Sequence, residues 1–432
     1  MVLAAQVAET PTTPQSSWHT QRSKVFAVLG ALAAMSVVAL GAAAYVTSAA
    51  IHARNEADDR RQRAEQALLA VTEKTSGFAL DLAQHVRAVA GLPPALSKDF
   101  TDRIRGLLEQ LTAAGEATPE VLHGIVAALD ETALNLSAIG DTAGSYDTID
   151  RGRQVIESRL AISPGDTSWQ RQMSISYEKQ GNVQFAQGNF AEALNSHQAS
   201  LAIRNRLATA DTSNTIWQRD LGVAHEKIGD DELALANFVQ AVDAYQASLT
   251  IRDRLIKSDP GNALWARDLA VSHYKLGDLH MRQENWPEAL ESYQAGLPIS
   301  ERLAKVNPDN ELWQRDLASL YDRIGDAQAV QGDFADGLKS FQASYAIRDR
   351  MAKFEPGDIG WQRDLAASFG KIAEVYRQTT RIPEAIEAAR KGREIVTRLS
   401  RLSPGNATLR RYLAHFDEIS ALTGNATPPQ PQ

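Results

Sequence analysis

The chain has 432 residues, no cysteine, and a formal charge of −8 from 45 Lys and Arg against 53 Asp and Glu. The absence of cysteine excludes a disulfide framework, a thiolate zinc site and a cysteine nucleophile. The mild acidity argues against a nucleic-acid partner, which needs a clustered basic surface. With 44% apolar and 23% charged residues, the composition is that of a folded protein.

The N-terminal segment predicts a membrane anchor. Residues 1–24 mix Thr, Pro, Gln and Ser without periodicity, which is typical of a disordered tail. Residues 25–47 carry no charge and would form a helix of about 35 Å, enough to cross a hydrocarbon core of about 30 Å. We therefore expect a transmembrane helix at 25–47. The alternatives are a cleaved signal peptide, whose apolar region is normally about 7–15 residues, and a buried core helix.

Residues 48–115 predict a helical region next to this anchor. The stretch 53–89 has no proline and one glycine, and it reads as one long helix. An apolar stripe recurs along it at spacings of three, four or seven, comprising Leu68, Val71, Phe78, Leu82 and Val89. We expect this stripe to pack on the helices that follow. The alternative is a short coiled coil that makes the protein a homo-oligomer.

A repeat of 48 residues dominates the rest of the chain. Five tryptophans fall in this register, namely Trp169, Trp217, Trp265, Trp313 and Trp361. Three residues before each, and before Leu409 in the next place, stands Asn or Asp, which are strong helix N-caps. These predicted caps are Asp166, Asn214, Asn262, Asn310, Asp358 and Asn406.

Small residues recur inside each unit and predict a helical hairpin. Glycine stands at 181, 229, 277 and 325 with Ala373 in the fifth place, and alanine or glycine stands twelve residues later. Small residues at these places allow two helices to pack closely. One hairpin cannot bury its apolar face alone, so we expect neighbouring hairpins to stack.

The order of glycine, alanine, an aromatic such as Tyr245, and a small residue such as Ser248 resembles the tetratricopeptide repeat. That motif has a period of 34, so we place the surplus residues at the front of the first helix and the back of the second. The resemblance implies an all-α solenoid over 116–423, with six hairpins, a capping helix and a disordered tail at 424–432. We expect its first hairpin to be short, lacking about seven residues near Ile139-Gly140-Asp141.

Charged residues follow the same register. The rows of Arg171, Asp220 and Arg206 are interpreted as ion-pair ladders between repeats. By the resemblance, another set lines the concave groove and is predicted to bind a partner. This set is Glu178, Asn182, Glu226, Asp230, Tyr274, Asp278, Asp322, Asp326 and Glu374. Its acidity predicts a protein or peptide partner of basic or mixed charge, with pairing to lysines of adjacent helices as the alternative.

These features predict a membrane-anchored scaffold for protein–protein interaction. The anchor and repeats together resemble bacterial membrane-anchored signalling proteins, which implies a single-pass protein of the inner membrane. The proximity of Arg22 and Lys24 to the anchor favours repeats outside the cytoplasm, whereas a plain count of Lys and Arg favours the reverse. The alternative function is a regulatory or oligomerising subunit of a separately encoded effector. We found no catalytic motif, so we predict no enzyme, no cofactor and no metal site.

Overall fold

The computed structural model describes residues 77, 80–81, 98–99, 101–106, 118–402 and 406–422. Within these ranges every regular element is a helix. The predicted tails, the transmembrane helix at 25–47 and the apolar stripe between Leu68 and Val89 lie outside the described residues. Across the part that is described, no helix is both long enough and apolar enough to cross a membrane.

Thirteen helices follow one another between residues 119 and 420 of the described part. They are α1 (Pro119–Ala138), α2 (Thr142–Ile162), α3 (Thr167–Ala186), α4 (Phe190–Ala210), α5 (Thr215–Ala234), α6 (Phe238–Ser258), α7 (Ala263–Arg282), α8 (Trp286–Val306), α9 (Glu311–Val330), α10 (Phe334–Phe354), α11 (Ile359–Gln378), α12 (Ile382–Leu402) and α13 (Ala407–Ser420). Odd-numbered helices from α1 to α11 are the first, or A, helices of six hairpins, and even-numbered ones are the B helices. The six predicted hairpins and the capping helix, α13, are therefore confirmed.

The hairpins stack in chain order, and each packs against its neighbours. Every helix contacts the next one along the chain. In addition, α1 and α7 touch the following A helix, and α11 touches the capping helix α13. The apolar core is correspondingly divided among successive interfaces. One such cluster joins Ala241 and Tyr245 of α6 to Leu276 and Leu279 of α7. The free energy of unfolding of such a stack is approximately the sum of the stabilities of the single hairpins and of the interfaces between neighbouring hairpins.

The predicted N-caps start the A helices from α3 to α11 and the capping helix α13. The Asn214 side chain accepts a hydrogen bond of 3.1 Å from the Trp217 amide, and Asn262 and Asn310 cap their tryptophans in the same way. Each cap satisfies an amide of the first turn that has no partner inside the helix. Thr118 takes this role for α1 through a bond of 3.4 Å from the Val121 amide.

A three-residue turn joins each A helix to its B helix. The last turn residue donates its amide to a carbonyl five residues earlier, as in the bond of 2.9 Å from Asn189 to Gln184. This bond defines a Schellman motif, which requires a left-handed residue before it. That residue is Gly140, Gly188, Ala236, Glu284, Gly332 or Thr380, with φ between 58° and 86°.

The prediction of a short first hairpin is wrong. Thr118 and Asp166 are 48 residues apart, as are the turn residues Asp141 and Asn189, so the unit has full length. Ile139-Gly140-Asp141 resembles the mid-helix triplet Ile228-Gly229-Asp230 in sequence, but it forms the turn between α1 and α2. Its glycine meets the turn's demand for a positive φ, which is 85°.

Candidate functional site: the groove face of the A helices

The nine predicted partner-binding residues all lie in the second half of an A helix, from α3 to α11. Because they repeat in the 48-residue register, they fall on one side of successive A helices, which we call the groove face. An open cavity of about 640 Å³ lies on this face. Its lining comes from α5 and α7–α11 and includes Asp278, Asp322 and Asp326.

Three of the predicted acids pair with an arginine of their own hairpin. Glu178 lies 2.6 Å from Arg204 of α4, and Glu226 lies 2.6 Å from Arg252 of α6. Burial opposes ionisation of Glu178, but the neighbouring cations, Arg204 and Lys227 foremost, together outweigh burial and lower the pKa of this carboxyl. The third pair, Asp322 with Arg348, has a distance of 2.7 Å. These carboxylates are therefore fixed and neutralised from within.

Three further acids pair with a cation of the next A helix. Asp230 accepts from Lys275 at 2.7 Å, and Asp326 lies 2.6 Å from Lys371. Asp278 accepts two bonds from Arg323, at 2.6 and 2.9 Å. We call this row of pairs the groove ladder. Although burial disfavours its charge, Asp230 raises the pKa of Lys275 above its ordinary value. These contacts are of the kind that the alternative prediction expects, namely pairing of the acids with cations of adjacent helices.

The tyrosines of the B helices add a second bond to the same acids. The Tyr245 hydroxyl donates to Asp230 at 2.7 Å, and the Tyr293 hydroxyl donates to Asp278 at 2.7 Å. Burial and the adjacent Asp230 raise the pKa of Tyr245, so its hydroxyl remains a donor. Each of these two carboxylates is thus held by a tyrosine of its own hairpin and a cation of the next one.

The three other predicted residues have different surroundings. Glu374 pairs with Arg377 of its own helix at 2.6 Å. Tyr274 is flanked by two cations of the groove ladder, with the guanidinium of Arg323 5.0 Å and the ammonium of Lys275 5.9 Å from its ring centre. Asn182 is half-buried and makes no hydrogen bond with a described residue.

A second ladder, distinct from the groove ladder, links the front halves of the A helices. Arg219 of α5 donates two bonds to Asp268 of α7, at 2.5 and 3.3 Å, and Arg267 reaches Asp316 in the same way. This confirms two of the predicted rows. The row of Arg206 does not form a ladder: Arg206, Arg254 and Arg302 make no ion pair with a described residue.

The arginines that pair with the groove-face acids lie two residues before the predicted row, and the sequence analysis did not identify them. Arg204 and Arg252 are each 3% exposed and Arg348 is 8% exposed, although each of these three B helices offers a second arginine two residues on. A signal was present, since these arginines occur only where the A helix has an acid in the same unit. In two units the acid is replaced, by Tyr274 and by Gly370. In the same units the arginine is replaced, by Ser300 and by Val396 respectively.

The one described group of acids that could surround a metal ion is Glu311, Glu355 and Asp358. Arg315 already lies 3.9 Å from Glu311 and 3.5 Å from Asp358. The guanidinium of Arg315 therefore partly neutralises the negative charge of this cluster.

Comparison with known proteins agrees with this geometry. Residues 172–247 match the tetratricopeptide repeat model. The chain is built as a tetratricopeptide-type solenoid. The solved apo form of RapI is similar over 81% of this chain and 87% of its own, with 12% identity and a TM-score of 0.51. The helices of this protein are longer than a repeat of 34 residues allows. Its A helices have 20 residues and its B helices have 21.

Two other solved structures are similar at lower scores. BtubC (BKLC) from P. vanneervenii matches over 60% of this chain and 92% of its own, with 14% identity and a TM-score of 0.45. A STAND protein with a tetratricopeptide repeat sensor, PH0952 from Pyrococcus horikoshii, matches over 85% of this chain and 51% of its own, with 10% identity and a TM-score of 0.47. A search among curated proteins finds no match.

Proposed function

We propose that this protein is a membrane-anchored scaffold whose groove face binds a segment of another protein. The observation that carries the proposal is the open cavity of about 640 Å³, which spans several consecutive hairpins. Extended surfaces of stacked hairpins recognise peptides or helices along their length. Because ion pairs already hold the lining side chains in place, binding costs less side-chain entropy.

The test is site-specific photocrosslinking in cells. A photoreactive residue at Ser319, which lines the cavity, should form a defined adduct with one partner. The matched control is Ala346, an exposed residue on the B helix of the same hairpin. Equal adducts from both positions, or none from Ser319, would exclude the groove face as the binding surface.

The membrane anchor in this proposal is supported by the uncharged run at 25–47. We also propose that the solenoid lies at a bacterial inner membrane on the extracytoplasmic side, which the proximity of Arg22 and Lys24 to this run favours. A reporter that is active only outside the cytoplasm, fused after residue 432, should be active. A reporter that is active only in the cytoplasm would then be silent, and the reverse pattern would refute this orientation.

A further inference from the structure

The ion pairs of the groove face leave two cations without a carboxylate partner among the described residues. These are Lys227 of α5 and Arg282 of α7. The seven acids predicted to bind a partner each pair with one internal cation, so they offer no surplus negative charge. The charges that remain available on this face are therefore positive.

Lys227 marks a gap in the groove ladder. In the next three hairpins, Lys275, Arg323 and Lys371 each contact an acid on the preceding A helix. The equivalent residue for Lys227 is Asn182, which is neutral. Lys227 is half-buried, and the two acids that its charge affects already have closer partners. Glu178 lies 2.6 Å from Arg204, and Asp231 lies 2.6 Å from His197.

Arg282 shows the same imbalance independently. The cavity on the groove face is lined by four cations and three acids. Three of these cations pair with the three acids, and Arg282 is left over. It is exposed at the end of α7, and it lines the cavity together with Leu233 and Met281.

We propose that the partner presents acidic side chains to the groove face, and that one of its carboxylates binds Lys227 where Asn182 interrupts the groove ladder. The Lys227 ammonium and the Asn182 amide can both donate to one carboxylate, and charge-assisted bonds of this kind are strong. A second acid, next to an apolar side chain, fits Arg282 with Leu233 and Met281. This inference rests on the proposed peptide-binding function. It replaces the basic or mixed partner that the sequence predicted with a partner that carries acidic side chains.

The decisive variant is Asn182→Asp, which supplies the missing carboxylate from within. The probes are three labelled dodecapeptide pools that share apolar positions and carry Glu, Gln or Lys at the others. The full chain should bind the Glu pool most tightly, with an affinity that falls as salt rises. Asn182→Asp and Lys227→Gln should each weaken Glu-pool binding about tenfold, whereas the melting temperature of Asn182→Asp should not fall.

The matched control is Asp326→Asn, which opens an equivalent gap beside Lys371 and should strengthen Glu-pool binding. The proposal is overturned if the Glu pool binds no better than the Gln pool, or if Asn182→Asp binds it like the wild type. Preferential binding of the Lys pool would restore the basic partner. Failure of all three pools would instead refute peptide binding at this face altogether.

Discussion

At the scale of single residues, four of the six hairpins are closed by a ring that packs on a glycine. A Cβ added at Gly277 would lie 2.3 Å from the Tyr293 ring, and one at Gly325 would lie 2.7 Å from the Phe341 ring. Where the glycine is replaced by Ala373, the ring opposite is replaced by Ala389. The two positions therefore share one fixed volume, as expected of a close-packed interior.

This shared volume predicts a strong coupling between Gly325 and Phe341. Gly325→Ala should destabilise the protein by about 1–3 kcal/mol, because the buried ring has no room to move. In a Phe341→Ala background the same change should be neutral or stabilising, since alanine is the better helix former. Urea unfolding of the four proteins in this cycle measures the coupling. Additive effects would contradict the shared volume.

Asp130 is an acid whose arginine is missing, because Ile156 occupies the place that Arg204 and Arg252 take in later hairpins. It is 1% exposed, and burial raises its pKa to about 7. The folded protein therefore holds this proton more tightly than the unfolded chain, whose aspartates have a pKa of about 3.9. The resulting stability is complete below pH 4 and is lost as pH rises through 7.

Asp130→Asn should remove this pH dependence. At pH 8 the variant should be more stable than the wild type. The expected gain is roughly 1.4 kcal/mol for each unit by which folding raises the pKa of Asp130. At pH 4 the two proteins should have similar stability, because Asp130 is then neutral in the wild type. Urea unfolding at both values measures the difference. A constant difference across pH would show that Asp130 ionises normally.

At the scale of elements, the A-to-B turns all require one left-handed residue, yet three of the six have a side chain there. Left-handed backbone costs a residue with a Cβ about 1–2 kcal/mol, whereas glycine adopts it freely. The turn at Ala236, with φ of 61°, therefore stores strain that the turn at Gly188 avoids.

Reciprocal substitutions test this strain. Ala236→Gly should raise the free energy of unfolding by about 0.5–1 kcal/mol, because the loss of strain exceeds the added entropy of the unfolded chain. Gly188→Ala should lower it by a similar amount, and a Cβ there would meet no atom within 4 Å. Thermal unfolding with circular dichroism measures both. Changes of the same sign in the two variants would rule out backbone strain as the cause.

At the scale of the whole molecule, the buried arginines join consecutive hairpins. Arg252 of α6 contacts Glu226 of α5 and donates to the Asp268 carbonyl and the Ser272 hydroxyl of α7, at 2.9 and 2.8 Å. One side chain thus bridges two stacked units. Because a solenoid has no contacts between distant hairpins, its cooperativity depends on such neighbouring links.

Arg252→Ala should uncouple the solenoid between α6 and α7. It leaves Glu226 partly buried without its cation, which costs about 3–5 kcal/mol for a buried pair. Denaturant unfolding should change from one transition to two, with hydrogen exchange faster on the sides of α6 and α7 that face each other. The control is Arg254→Ala, an exposed arginine two residues on, which should change stability by less than about 0.5 kcal/mol. Similar effects from both variants would refute the bridging role.

The sequence alone determined the helical hairpins, their number and the starts of the A helices. These follow from local chemistry: a cap such as Asn214 binds an amide three residues on, and a 48-residue register repeats that choice in every unit. It failed at Gly140, because the same Ile-Gly-Asp triplet fits a helix or a turn until neighbouring helices fix its place.

Only the tertiary structure decided what the groove acids do. Sequence placed Asp230 and Asp278 on one face, but their charge depends on Lys275 and Arg323, which lie 45 residues further along the chain. It also could not choose between Arg252 and Arg254, since both recur in register and only one turns inward. Electrostatic character belongs to pairs in space, because a carboxylate beside a cation presents little net charge to a partner.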